Sequence, residues 1–234
     1  MQPATIKIFL VEGNPEGIRT AEISNWTGKA IAGPRSELAS LLKREELLSP
    51  GVYLLTGKNA ETAQDSLYIG EAESVTKRLR QHRDRDDWSQ VAAIVSKDEN
   101  LTKAHIRYLE GKLIELAIQA GNAQLQNNAS SGSKLPESDK ADMDVFLEKL
   151  LQLLPVLGVD LFKIITEIPN NSNDLLYCNI KGLKARGRRS TGGFVVYAGS
   201  QAVSDGRSGS ANWVLKRREE LLDKEHLIAK DGFL

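Results

Sequence analysis

A single cysteine, Cys178, is all the thiol chemistry the chain offers. One thiol makes neither an internal disulfide nor a cysteine metal cluster, and its scarcity fits a reducing compartment. Long apolar runs are missing too. The longest, Leu150 to Leu154 with Pro155 to Val159 behind it, falls far short of the ~20 residues that a membrane span requires. The opening MQPATIKIFLVEGNPEG sets a lysine inside a short alternating stretch and has neither an apolar signal core nor a cleavage site. A soluble cytoplasmic protein is expected, with no membrane partner and no disulfide-linked partner. Net charge is also absent, 31 basic residues balancing 31 acidic ones. What is present, 41% hydrophobic and 26% charged over 234 residues, is the balance of a globular chain. That length allows one large domain or a few small ones, and the composition excludes collagen-like, coiled-coil and disordered chains.

Zero net charge conceals two basic blocks. From Lys181 to Arg218 nine Lys/Arg accompany one acid, Asp205. From Thr76 to Arg85 there are five (Lys77, Arg78, Arg80, Arg83, Arg85), with His82 and one acid, Asp84. Nearby charges set the field at a surface, so either block can hold a phosphate backbone locally. A pair of solvated helix faces explains them equally well on charge alone.

Residues 1–48 read as a β-β-α unit. Thr5 to Val11 alternates, Gly13 to Gly17 is a turn cluster, and Ile18 to Trp26 is a second strand. Pro34 opens a helix striped by Leu38, Leu41, Leu42 and Leu48, which Ser49-Pro50-Gly51 stops. Residues 49–128 follow as strands Val52–Thr56 and Ser66–Gly70 in a hairpin, helix Glu73–His82, strand Gln90–Val95 and helix Leu101–Gln119. The order β-β-α-β-α predicts an α+β fold, a small three-stranded antiparallel sheet flanked by helices. Asn122 to Ala141 is polar, with 129–140 as its linker. The remainder, 141–234, is expected as a small α+β region. It has an amphipathic helix over Ala141–Leu154, strands over Leu161–Ile168 and Thr191–Ala198 around a glycine- and arginine-rich segment, and a polar helix over Asn212–Lys224.

Several chemistry-bearing residues converge in 49–128. Tyr53 (in Gly51-Val52-Tyr53) and Tyr68 (in Tyr68-Ile69-Gly70) lie on neighbouring strands of one hairpin. Arg78 and His82, four apart, share a helix face. Glu110 falls within the apolar stripe of Ile106, Leu109, Leu113, Ile114 and Ala117, where an unpaired carboxylate costs roughly several kcal/mol. A metal ion or an arginine is the usual compensation. Each of the others has a plain reading as a strand aromatic, a solvated cation or a structural histidine, and His105 reads as a surface or packing histidine.

This set resembles the GIY-YIG nuclease domain. The GVY and YIG triplets, Arg78 and His82 behind them, and Leu109-Glu110-Gly111-Lys112-Leu113-Ile114 look like that family's strands, helix and metal-binding glutamate. Asn127 is the best match to a later family asparagine, with Asn128 and Asn122 weaker. LPVLG (Leu154–Gly158) and GFVVYAGS (Gly193–Ser200) look like a C-terminal domain of unknown function that accompanies some bacterial and archaeal members, and the resemblance leads to the expectation of an incomplete copy of it.

The resemblance implies a divalent-metal-dependent endonuclease acting on a nucleic-acid phosphodiester, with DNA preferred. Glu110 would hold one Mg²⁺, or Mn²⁺, which suits a single carboxylate with retained waters. Arg78 would fork onto the scissile phosphate. Tyr53 is the first choice to activate water, with Tyr68 or His82 receiving or placing its proton. Substrate contacts are expected from Asn127, Lys77 and Arg80, and from Lys184, Arg186, Arg188 and Arg189 in KGLKARGRRSTGG. The glycines of that segment let phosphate approach, although it lacks the interleaved aromatics of a single-strand stacking platform. The alternative is a non-catalytic nucleic-acid-binding or regulatory protein that keeps the nuclease fold.

Overall fold

The structure, a computed structural model, describes residues 3–59, 64–127, 132–163, 175–180, 182–190, 193–202, 212–223 and 226–229. It divides into two compact units, one of residues 1–59 and 64–164 and one of residues 60–63 and 165–234.

In the first unit β1 (Ile6–Leu10) and β2 (Arg19–Ile23) make a hairpin with Ile6 opposite Ile23 and Leu10 opposite Arg19. Gly13 turns it at φ +72°, a conformation that favours a residue without a Cβ. β3 (Gly28–Pro34) pairs with β2 on one side. On the other it pairs with β6 (Gln90–Ser96), from Gly28 opposite Ser96 to Pro34 opposite Gln90. β4 (Gly51–Lys58) lies between β6 and β5 (Asp65–Ala72), and β7 (Gln124–Leu125) runs parallel to β5.

The expected small three-stranded antiparallel sheet is therefore not what forms. The sheet is mixed and seven-stranded, in the order β1-β2-β3-β6-β4-β5-β7, and a second, three-stranded sheet stands apart from it. The strand that makes the difference is β3. Its sequence GKAIAGP is dominated by glycine, alanine and proline, residues depleted in strands. Ala30, Ile31 and Ala32 are nevertheless buried, and pairing along β3 covers the edge that β6 would otherwise leave open. Residues 1–48 thus extend the central sheet. Pro34 ends β3 rather than opening a helix, and a 3₁₀ turn (Arg35–Glu37) leads into the short α1 (Leu38–Leu41). Leu48 is exposed and stripes nothing.

Alternation along β4 builds two cores. Val52 and Leu54 face α3 (Lys103–Ala120) and α4 (Glu137–Leu153), packing with Leu109, Leu113, Phe146 and Leu150. Tyr53 and Leu55 face the opposite side, with Leu41 of α1 and with Val75 and Leu79 of α2 (Val75–Gln81). The amphipathic helix expected from Ala141 starts earlier, at Glu137, and ends in a 3₁₀ turn (Leu154–Leu157).

The second unit contains β8 (Leu176–Ile180), β9 (Leu183–Ser190), β10 (Gly193–Val196) and α5 (Asn212–Asp223). Its sheet is antiparallel in the order β10-β9-β8, so the glycine- and arginine-rich segment, expected to lie between two strands, is itself the central strand. Of the strand expected over Leu161–Ile168, residues 161–163 are not strand and the rest lies outside the described residues, as do Lys181 and Thr191.

Candidate functional site

The β4–β5 register places Tyr53 opposite Gly70 and Leu55 opposite Tyr68, making the two tyrosines diagonal neighbours on the α2 side. Their ring centroids are 6.0 Å apart. A Cβ at Gly70 would overlap the Tyr53 ring, so the glycine of YIG is the space in which the first phenol lies. His82 caps α2 and holds its Nε2 2.9 Å from the Tyr53 hydroxyl, with its ring edge-on to Tyr68 at 5.0 Å. The Nη1 of Arg85 lies 3.3 Å from His82 Nδ1, and its guanidinium sits 4.9 Å over the Tyr68 ring. Asp87 holds Arg85 in place at 2.5 Å.

Arginine can only donate, so Nδ1 of His82 accepts and the neutral imidazole keeps its proton on Nε2, which donates to Tyr53 Oη. Burial, then the cations Arg85 and Arg78, push the His82 pKa below its ordinary value. The Tyr53 side chain is 1% exposed. Burial first, then the Tyr68 hydroxyl, drive its pKa well above the usual phenol range, with Arg78 opposing and Glu110 adding to the rise. Tyr68, by contrast, is only half-buried.

Glu110 reaches this group around the open edge of β5. Residues 67, 69 and 71 turn their backbone polar groups to that edge, where an unpaired strand would need partners. The Gln126 N–H donates to the Leu67 carbonyl at 2.8 Å. The Asn127 side chain then bonds both groups of Ile69, accepting from its N–H at 3.1 Å and donating to its carbonyl at 2.6 Å. Next along the strand, the Glu71 N–H faces the buried Glu110 carboxyl. Burial and then the negative charge of Glu71 raise the Glu110 pKa, against the Glu71 N–H, Arg107 and Arg78. The carboxyl, Arg78 and Tyr53 are thus within electrostatic reach of one another.

A pocket of about 290 Å³ opens beside Glu71, lined also by Glu73, Ser74, Lys77, Arg78, Gln81 and Lys103. Arg78 is exposed and bonds Gln81 at 3.0 Å. Lys77 lines the pocket, whereas Arg80 is exposed on α2 away from its lining. Asn127 is committed to the backbone of β5 and positions the YIG strand. Asn122 donates to the carbonyls of Leu161 and Lys163, and Asn128 lies outside the described residues. His105 belongs to a capping box with Thr102 at the start of α3. Among the described residues no cluster of three or more acidic, histidine or cysteine side chains gathers.

Residues 176–234 match a family model described as Domain of unknown function (DUF4357).

No curated protein and no solved structure matches the chain. The DUF4357 match meets the expectation of such a domain in the tail. It begins after LPVLG and lies outside residues 51–128, so it lends the GIY-YIG resemblance no support of its own. Within the DUF4357 segment, Lys184, Arg186, Arg188 and Arg189 all lie on β9. Strand alternation sends the first three to one face and Arg189 to the other.

Two pocket residues escaped the sequence reading. Glu71 directly follows YIG, and an acid between Gly70 and Ala72 on a buried strand was the available signal. Lys103, ion-paired with Glu73 at 3.2 Å, carries none, since a lysine in a helix's first turn is ordinary. No helix among the described residues is long and apolar enough to cross a membrane.

Proposed function

We propose that residues 51–127 form the centre of a divalent-metal-dependent endonuclease that hydrolyses a nucleic-acid phosphodiester, with DNA preferred. The observation that carries this reading is the buried Glu110 carboxyl, set beside a second acid and in electrostatic reach of Arg78 and Tyr53. Two neighbouring carboxylates make a donor set suited to a hard cation, and Glu110 with Glu71 at its side would hold it. Mg²⁺ or Mn²⁺ held there would supply positive charge to the phosphate oxygens.

The chain's own groups do the rest. Arg78, exposed on the pocket wall beside Lys77, grips the phosphate. Tyr68 takes the role first expected of Tyr53, because it is half-buried while Tyr53 is sealed behind it. In its phenolate form Tyr68 removes one proton as the water oxygen bonds to phosphorus and the P–O3′ bond breaks, and the 3′ oxygen takes a proton from solvent. Tyr53, fixed by the His82 Nε2–H, holds Tyr68 in register.

Sealing of Tyr53 also favours the second reading, a nucleic-acid-binding protein that keeps the fold without cutting. Glu110→Gln separates the two. Mg²⁺-dependent nicking of plasmid or branched DNA should fall by at least about a hundred-fold while binding persists. If the wild type cuts no single-stranded, duplex, flap or branched substrate with either cation, the nuclease reading fails.

A further inference from the structure

The three-stranded sheet of the DUF4357 segment has two unlike faces. Directly opposed residues of an antiparallel pair share a face. Tyr177 on β8 stands opposite Arg186 on β9. The chain after β10 keeps register one residue further, because the Tyr197 N–H donates to the Arg186 carbonyl at 2.9 Å. Tyr177, Arg186 and Tyr197 therefore form one row across the sheet. The flanking rows on this face are Asn179 with Lys184, and Val195 with Arg188. The other face carries Leu176, Ile180, Leu183, Phe194 and Val196, with Arg189 beside Phe194.

The first face is thus aromatic and basic. Tyr177 is 77% exposed, and Lys184 and Arg186 are exposed beside it. Residues 175–202 contain no Asp or Glu to neutralise the cations, and the Nε of Arg188 is buried without a hydrogen-bond partner. KGLKARGRRSTGG alone lacks aromatics, but sheet pairing supplies them from both neighbouring strands. Two strand spacings separate the backbone positions of Tyr177 and Tyr197 by about 10 Å, with Arg186 on the strand between them.

We propose that this face binds single-stranded nucleic acid, with bases stacked on Tyr177 and Tyr197 and phosphates held by Lys184, Arg186 and Arg188. Base rings offer a π-face to an exposed phenol, and arginine both pairs with phosphate and stacks. A duplex keeps its bases stacked on one another and would use only the cations. The proposal concerns binding alone and stands whether or not the first unit cuts.

The test uses the full chain with divalent cations chelated and a fluorescein-labelled oligothymidylate, read by anisotropy. Tyr177→Ala should weaken binding about ten-fold, whereas Tyr177→Trp should keep it within about two-fold, since the larger ring still stacks. Arg186→Gln should cost more affinity than Arg189→Gln, which removes the same charge from the opposite face. Equal affinity in Tyr177→Ala and wild type, tighter binding of a duplex of the same length, or binding to anionic vesicles but not to the oligonucleotide would each overturn it. The readout is binding with divalent cations chelated, whereas the nuclease reading is tested by Mg²⁺-dependent nicking, so failure here and failure of that reading are distinguishable.

Discussion

Tyr53 and Tyr68 look interchangeable in the sequence, each in a triplet on its own strand, yet packing gives them different chemistry. Gly70 admits the Tyr53 ring, His82 donates to its oxygen, and burial holds it as a neutral phenol. Tyr68 keeps contact with solvent. Tyr68→Phe should therefore lower cleavage by about a hundred-fold or more, while Tyr53→Phe should cost under about ten-fold, measured as initial nicking rate. The carboxylate imposes a second signature. The raised Glu110 pKa means that the group must lose its proton to hold a cation, and does so at a pH above the ordinary glutamate range. Activity should rise with pH on an acid limb displaced upward from an unperturbed glutamate, read by a pH–rate profile with Mg²⁺ below saturation, because a saturating cation competes with the proton and draws the limb back down. Tyr53, Tyr68, Arg78, His82 and Glu110 were singled out together by the GIY-YIG resemblance, and the structure sets Tyr53, Tyr68 and His82 in contact, with Glu110 and Arg78 in electrostatic reach. Glu71 was not singled out, because its importance comes from an edge that forms only when β7 stops short.

Elements with one dominant period were readable, and those without one were not. β4, β5, β6 and α3 follow clear alternation or helical stripes, and their observed bounds lie close to those expected. β3 is made of small residues and acquires its burial from its place between β2 and β6 and from the helices packed on the two sheet faces. β9 alternates cations with small residues, so it has no apolar face to betray a strand. The aligned row of Tyr177, Arg186 and Tyr197 is a product of pairing across three strands, a relation that no local pattern carries. α3 deserves a test because its start fixes the turn on which Glu110 sits. Thr102 accepts from the His105 N–H, and the His105 ring accepts in return from the Thr102 N–H, each at 3.3 Å. Thr102→Ala should destabilise the protein by about 1 kcal/mol, seen as a lower urea midpoint with unchanged slope.

Across the molecule as a whole, acid resistance has an identifiable contributor away from the pocket. Glu46 bonds Lys29 of β3 at 3.0 Å and Arg44 at 2.5 Å, joining the added strand to the segment before β4. Burial opposes its charge, but Arg44, the backbone and Lys29 outweigh burial and lower its pKa from 4.5 to about 2. A depressed carboxylate pKa stabilises the fold above the unfolded value, and that contribution disappears as pH falls through the folded value. The stability difference between wild type and Glu46→Gln should be full near neutrality, shrink from pH 4.5 downward and vanish near pH 2, as denaturant midpoints at several pH values would record.

The open side of β5 has a last consequence. A lateral row of vacant amides and carbonyls invites a foreign chain to add itself, the route by which sheets polymerise. Asn127 occupies that row at Ile69, and the Glu110 carboxyl faces its next amide, at Glu71. An intruding strand would have to displace both, so self-association along this border and an intact pocket exclude each other. The amide that aligns the site also guards the protein against sticking to itself.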